Sequence, residues 1–307
     1  MAIFKKDEDI LTQINELPIK LEKDLQQITE KNLNTIFELE FISSEFSLQK
    51  FRIDTLAFNK ETRSFVIIEY KRDKSFSIID QGYAYLASML NNKAEFILEY
   101  NEKNKNNLER KDIDWTQSRV LFLANSFTAY QQNAINFKDL PIELWEVKKF
   151  DNKTILYNKL KPAEARESIK TITKNKTIES VSREIKEYSI DDHFKLGWEN
   201  SRDLFENLRT KILEIDQRIE EVATKQYIGY KINNKVIGCL TIRKSKIKVE
   251  LYRVKPNDLD DYKKVLRYVE SSMKYWGKHV SVFFIKKDED IDYAITLIKQ
   301  VYNKFYK

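Results

Sequence analysis

Along the first 35 positions apolar residues recur at intervals of three or four, at Ile10, Leu11, Ile14, Leu17, Leu21, Leu25 and Ile28. That spacing predicts a helix over residues 7–35. Pro18 divides it in two, because a proline removes a helical hydrogen bond and crowds the preceding turn. Three strand-like segments follow, over residues 36–46, 51–58 and 65–71. The pattern returns to a helical period over 75–91 through Ile78, Ile79, Tyr83, Leu86 and Leu90. Beyond it the pattern predicts a strand at 94–100, a polar loop at 101–111 and a strand at 120–124. A helix at 128–137 and strands at 142–147 and 154–160 complete this half. The order α-β-β-β-α-β, with further elements appended, implies an α/β (α+β) fold with helices packed on a mixed sheet.

From 161 to 191 the apolar content drops and Lys, Thr, Ser and Glu dominate, as in a linker with some helical character. The second half opens with a helix at 198–219. Three short strands follow near 227–232, 235–242 and 246–252, with Asn233-Asn234 and Lys244-Ser245 where tight turns fall. A helix at 258–275 with Asp258 near its N-cap, a strand at 280–285 and a helix at 291–305 end the chain. The expected organisation is a domain over 1–160, a linker over 161–191 and a smaller α+β domain with a β-meander over 192–307.

Composition narrows the chemistry. There are 307 residues, 33% of them charged and 42% hydrophobic, as in ordinary globular proteins. No apolar run is long enough for a membrane span, and the first residues turn acidic before any apolar stretch, unlike a secretory signal. The single cysteine, Cys239, can form neither an internal disulfide nor a thiolate zinc site, and the expected location is cytoplasmic. The two histidines, His193 and His279, are isolated, which leaves no histidine metal cluster. Five glycines, none in a GxxxxGKS or GxGxxG arrangement, argue against P-loop and dinucleotide-binding enzymes. Carboxylates and lysines remain.

Charge is uneven. Residues 1–160 hold 23 Lys/Arg and 25 Asp/Glu, and the rest hold 31 and 23. Between Lys225 and Lys255 there are nine basic residues and one acid, Glu250. Such a half suits a polyanionic partner, although a lysine-rich solvated surface would look the same.

The stretch FRIDTLAFNKETRSFVIIEYKRD, residues 51–73, reads as two strands around a polar turn. A hairpin centred between Glu61 and Thr62 sets Asp54 opposite Glu69, and opposed Cβ atoms stand about 5 Å apart. Alternation puts Lys71 on the face of Glu69. Val66, Ile67 and Ile68 mark a buried strand, so charges at its end are costly unless something binds them. A divalent cation shared by the two carboxylates removes their repulsion. It also provides for phosphodiester hydrolysis, with Lys71 orienting water or stabilising the phosphate.

With Gln81 and Tyr85 one turn apart on the next helix, this series resembles the PD-(D/E)xK nuclease superfamily, in the branch with a Gln-x-x-x-Tyr motif. RIDTLAF, VIIEYKR and DQGYAYL in succession resemble bacterial nucleases related to the NucS type, over about residues 21–160. The resemblance implies a restriction-endonuclease-like αβββαβ core and a Mg²⁺- or Mn²⁺-dependent deoxyribonuclease, in restriction, phage defence or repair. It implies Asp54, Glu69 and the Tyr70 carbonyl as metal ligands, Lys71 as catalytic, and Gln81 and Tyr85 lining the site against DNA. An N-terminal helix glutamate completes such sites. Glu22 matches best by position and Glu30 is its rival. The superfamily's proline is absent, with Ile53 before Asp54.

Arg52, Arg72 and Lys74 flank the motif and can grip phosphates, or serve as plain surface charge. From about Phe194 onward the chain resembles an uncharacterised domain that recurs behind such nuclease domains, most clearly in HVSVFFIKKDEDIDYAITLIKQVY. In its meander Arg243, Lys244, Lys246 and Lys248, with Tyr227 and Tyr230, suggest a basic surface that positions DNA. The alternative to an enzyme is a nuclease-like fold that binds nucleic acid or a protein without cutting. Cutting both strands with one site per chain would call for a homodimer, but no coiled-coil seam is visible, and a partner protein is not legible in the sequence.

Overall fold

The computed structural model describes residues 2–19, 21–48, 51–72, 77–105, 107–137, 139–161, 168–169 and 175–307. The chain separates into two compact units, residues 1–186 and 187–307.

The first unit does not open with the expected long helix. Strands β1 (Ile3–Asp7) and β2 (Ile10–Ile14) form a hairpin, followed by the short β3 (Glu16–Leu17). Helices α1 (Glu22–Lys31) and α2 (Leu33–Phe37) come only after Pro18. Burial explains the difference: Ile10 and Leu11 are 71% and 61% exposed, whereas Leu25, Leu33 and Phe37 lie in the core. Only the later part of the apolar repeat has a surface to pack on.

Six further strands build the sheet: β4 (Glu40–Leu48), β5 (Phe51–Asn59), β6 (Ser64–Lys71), β7 (Arg119–Ala124), β8 (Ile142–Phe150) and β9 (Ile155–Lys159). The order is β3-β8-β7-β6-β5-β4, with β9 on β8. β4, β5 and β6 are antiparallel, while β6, β7 and β8 run parallel. This mixed sheet places β6 near the middle, which is why nearly every residue of it is buried. Alternation sorts its side chains. Val66, Ile68 and Tyr70 join Leu25, Leu33 and Phe37 on one face. Phe65 and Ile67 join the other face, which is covered by α3 (Ile78–Asn91), α4 (Lys93–Asn104), α5 (Ala129–Ala134) and α6 (Lys176–Glu184).

Helix α4 occupies the stretch read as a strand at 94–100. Phe96 and Tyr100 are buried one turn apart while Leu98 is 53% exposed, so the helical period wins over alternation. Within the expected linker, Ile169, Ile178, Val181 and Ile185 pack into the first unit's core. Residues 162–167 and 170–174 lie outside the described residues.

The second unit is a six-stranded antiparallel sheet in the order β10-β11-β12-β13-β15-β14. Its strands are β10 (Glu220–Ala223), β11 (Ile228–Ile232), β12 (Lys235–Arg243), β13 (Lys246–Tyr252), β14 (Arg267–Tyr268) and β15 (Val280–Ile285). Helices α7 (Glu199–Leu213) and α9 (Ile291–Tyr306) supply the apolar residues of one face. Asn233 and Asn234 both take positive φ, 48° and 64°, as a tight hairpin turn requires. The expected helix at 258–275 is instead a loop, β14 and the short α8 (Ser272–Trp276). Asp261 holds that loop open by accepting from Leu266 N at 2.8 Å and from the Tyr293 hydroxyl at 2.6 Å. Among the described residues no helix is long and apolar enough to cross a membrane.

One half-buried acid in the first sheet has both of its oxygens paired. Glu143 Oε1 lies 3.2 Å from Arg119 and 3.1 Å from Lys159, and Trp145 Nε1 donates to Oε2 at 3.0 Å. Burial pushes its carboxyl up, but Lys159, Arg119 and the hydrogen bonds outweigh that and hold it down at about 2 against an ordinary 4.5. A lowered folded value means that this stabilisation is complete above the unfolded value and is lost as pH falls through the folded one. Wild-type unfolding free energy should therefore drop by up to ~3 kcal/mol between about pH 5 and pH 2 through this group. Denaturant titrations of Glu143→Gln should show a correspondingly shallower acid limb, and equal slopes would refute the assignment.

Candidate active site

The β5–β6 ladder has the register predicted from the hairpin: Thr55 pairs Ile68, Leu56 pairs Ile67 and Phe58 pairs Phe65. The ladder ends one step short of Asp54 and Glu69. There the Asp54 carboxylate replaces a main-chain acceptor, with Oδ2 taking the Tyr70 N–H at 3.0 Å. The Asp54 carbonyl accepts from Gln26 Nε2 at 2.8 Å. A break in main-chain pairing is tolerable only because side chains satisfy the released groups.

Glu69 stands at the carboxyl end of β6 and is 4% exposed. Its Oε1 accepts from Lys71 Nζ at 2.9 Å and from the Tyr85 hydroxyl at 3.0 Å, and Gln81 Nε2 donates to that hydroxyl at 3.2 Å. Its Oε2 is buried and, among the described residues, accepts no hydrogen bond. Burial pushes the Glu69 carboxyl above its ordinary range and the charge of Asp54 adds to the effect, while Lys71 and Tyr85 oppose it. Asp54 is likewise raised by burial and by Glu22, against the pull of the Tyr70 N–H, Lys71 and Arg52. Both acids sit where a negative charge is under-compensated.

The two rival glutamates part ways. Glu22, in the first turn of α1, reaches the end of β6 and accepts from Arg72 N at 2.5 Å. Glu30 lies eight residues further along α1, about 12 Å by helical rise. Its Oε1 takes the Thr55 hydroxyl at 2.6 Å and Gln26 Nε2 at 3.0 Å, and the Thr55 hydroxyl lies 3.2 Å from that of Tyr70. Tyr70 belongs to the core on the α1 side, whereas Tyr85, the hydroxyl partner of Glu69, belongs to the α3 side. Glu22 thus lies at the end of β6, whereas Glu30 lies with Thr55 and Gln26 on the α1 side of the sheet.

Tyr85 is only 5% exposed, so its hydroxyl faces Glu69 rather than open solvent, and Gln81 steadies that hydroxyl. Arg52 is exposed and paired with Glu45, and Arg72 is exposed beside Lys71. Lys74 lies outside the described residues. In the second unit, Lys244 sits in the turn between β12 and β13, not on the strand face with Lys246 and Lys248. Tyr230 is buried, its hydroxyl 2.9 Å from Glu221, and offers no surface ring. Gln26 and Thr55 carried no sequence signal of their own, since each matters through a main-chain group or another side chain.

What can this arrangement hold? Among the described residues no group of three or more His, Cys, Asp or Glu side chains is poised around one point. The donor set is two carboxylates, one with a buried oxygen that accepts nothing, beside main-chain carbonyls. Such hard oxygen donors fit Mg²⁺, which keeps several waters and binds through one or two carboxylates.

Comparison with known proteins adds the following. Residues 190–304 match the family model "Domain of unknown function (DUF5655)". A Haemophilus influenzae protein described as uncharacterized is 41% identical over 301 residues, covering 98% of this chain and 99% of that one. Two solved structures align over part of the chain. One is a repair endonuclease from Pyrococcus abyssi, at 16% identity and TM-score 0.24, over 43% of this chain and 50% of that one. The other is a complex of EndoMS with double-stranded DNA, at 12% identity and TM-score 0.26, over 48% and 64%. The chain thus spans less than two thirds of either structure.

The division between Glu22 and Glu30 has a direct consequence for stability. Glu30→Ala takes from the Thr55 hydroxyl and from Gln26 Nε2 one of the two acceptors that each has and should cost about 1–3 kcal/mol of unfolding free energy. Glu22→Ala, at an exposed position, should stay within about 0.5 kcal/mol of wild type. Denaturant unfolding of the two variants checks this; the reverse order would exchange their roles.

Proposed function

We propose that this chain, which belongs to the same family as the Haemophilus influenzae protein, is a metal-dependent endonuclease hydrolysing DNA phosphodiester bonds at Asp54, Glu69 and Lys71. The observation that carries the reading is the buried Glu69 Oε2, which has no hydrogen-bond donor among the described residues. It lies in a carboxylate already raised by burial and by a neighbouring Asp54. A cation relieves what the protein's own groups leave uncompensated. The αβββαβ order of the first unit and the position of the acids at the end of a central strand support the same reading.

In this reading Asp54, Glu69 and the Tyr70 carbonyl hold Mg²⁺ or Mn²⁺, and Glu22 completes the site at its rim. The ion, when bound, supplies an acidified water and neutralises charge on the phosphate. Everything else is done by side chains. Tyr85 and Gln81 fix the Glu69 carboxylate through one oxygen, so that the other stays turned to the metal position. Lys71, its ammonium already on Glu69 Oε1, is poised to orient the attacking water or to meet charge on the non-bridging phosphate oxygens. Gln26 pins the Asp54 main chain from beneath. Arg52 and Arg72 stand at the mouth, where each can take one phosphate without reading sequence. Restriction, phage defence and repair are all compatible settings for such chemistry.

The test is cleavage of supercoiled plasmid and of labelled single-stranded DNA with Mg²⁺, with Mn²⁺ and with EDTA. Wild type should cut only with metal, and Lys71→Ala and Asp54→Ala should each lose on the order of 10²–10³-fold in rate. Cutting that survives both substitutions removes the site. Binding of DNA without cutting under either metal replaces the enzyme with a binding module.

A further inference from the structure

Alternation along β13 and β15 sends their side chains to two faces. Ile247, Val249, Leu251, Phe283 and Ile285 enter the core shared with α7 and α9. Lys246, Lys248, Glu250 and Phe284 therefore emerge on the opposite face, where Lys248 pairs directly with Phe284 across the strands. At one end of that face Tyr252, Val280, Val236 and Cys239 are covered by Trp276, Val269 and Tyr227. At the other end Phe284 is 36% exposed. Lys246 Nζ lies 4.5 Å from its ring centre and the Arg243 guanidinium 5.9 Å. Glu250, the acid of β13 on this face, is buried and neutralised by Lys248 at 2.7 Å. What remains beside the ring is positive: Arg243 and Lys246, with Lys244 in the turn that joins their strands.

An aromatic ring standing on an open antiparallel sheet, with cations within one side-chain length, is the pairing that recognises an unpaired base and its phosphates. The ring offers a stacking plane, and the cations reach the flanking phosphates. A duplex offers no free base face, because each base is covered by its neighbours in the stack. An apolar protein surface would bury these cations without counter-charges, at a desolvation cost. We propose that this face of the second unit binds single-stranded DNA, with Phe284 stacking on one base and Arg243, Lys244 and Lys246 holding the backbone. The choice of DNA over RNA rests on the nuclease reading; the stacking does not.

The experiment is fluorescence anisotropy of the full chain in EDTA, so that binding is read apart from cleavage. The probes are an oligothymidylate of about 15 nucleotides, the matching oligouridylate, and a DNA duplex of the same length. Phe284→Leu keeps the apolar volume but removes the ring, and should weaken single-strand binding about tenfold while leaving duplex binding within about twofold. Phe284→Trp should retain the affinity. Lys246→Glu should lower it and flatten its salt dependence. A Phe284→Leu protein that binds the oligothymidylate as wild type does overturns the proposal, as does a wild type that prefers the duplex or the RNA strand.

Discussion

The first unit is arranged around one cost, that of keeping the Glu69 carboxylate at 4% exposure at the end of the sheet's central strand. A carboxylate in such a place must be paired or must bind something. The flanking strands β5 and β7 deny it water, and the end of the β5–β6 ladder brings Asp54 beside it instead of a hydrogen-bond donor. Lys71 and Tyr85 answer on one oxygen only. Far from relieving Glu69, the second acid deepens its difficulty, because the charge of Asp54 raises the Glu69 carboxyl further.

The same sheet contains its own control. Glu143 is half-buried, and Arg119, Lys159 and Trp145 satisfy both of its oxygens, so that its carboxyl is driven down to about 2. Glu69 has a lysine and a tyrosine, yet its carboxyl moves up. Burial raises both, so burial alone cannot account for the contrast. It comes from the count of donors and from the neighbouring charge. A chain that completes the pairing of one glutamate and leaves another incomplete next to an aspartate has built a structural ion pair in the first case and an under-compensated carboxylate in the second.

Much of this was readable in the residue order. The polar turn between two apolar runs fixed the register that sets Asp54 against Glu69, and Ser77 to Asn91 kept a helical period with Gln81 and Tyr85 on one face. The misreadings share a cause. At residues 10–17 and 258–275 the apolar spacing was right for a helix, but spacing reports a face and not what lies against it. Ile10 had no core to enter, and Asp261 gave the later segment side-chain partners that a helix would not. At 94–100 two periods fitted equally, and only the exposure of Leu98 separates them. The supporting shell was illegible for a different reason. Gln26 acts on the carbonyl of Asp54, and Glu30 acts on Thr55, and no residue pattern marks a contact made with a main-chain atom or across a sheet. Phe284 was passed over because an aromatic in an apolar strand reads as core until its pairing with Lys248 turns it outward.

Support from both faces explains why the pair of acids can be held firmly at the end of the sheet. Helix α1 reaches the sheet from one side through Gln26 and Glu30, fixing the main chain of Asp54 and the Thr55 hydroxyl. Helix α3 reaches it from the other through Tyr85 and Gln81, fixing one oxygen of Glu69. The two acids are thus held by separate cores that meet only at the sheet between them. Neither helix alone determines the distance between the carboxylates; it is set by the register of β5 on β6, which the buried runs of both strands hold against slipping, since a one-residue shift would exchange their faces. The precision of the acid pair is therefore a property of strand pairing, and the helices add orientation to a spacing already decided.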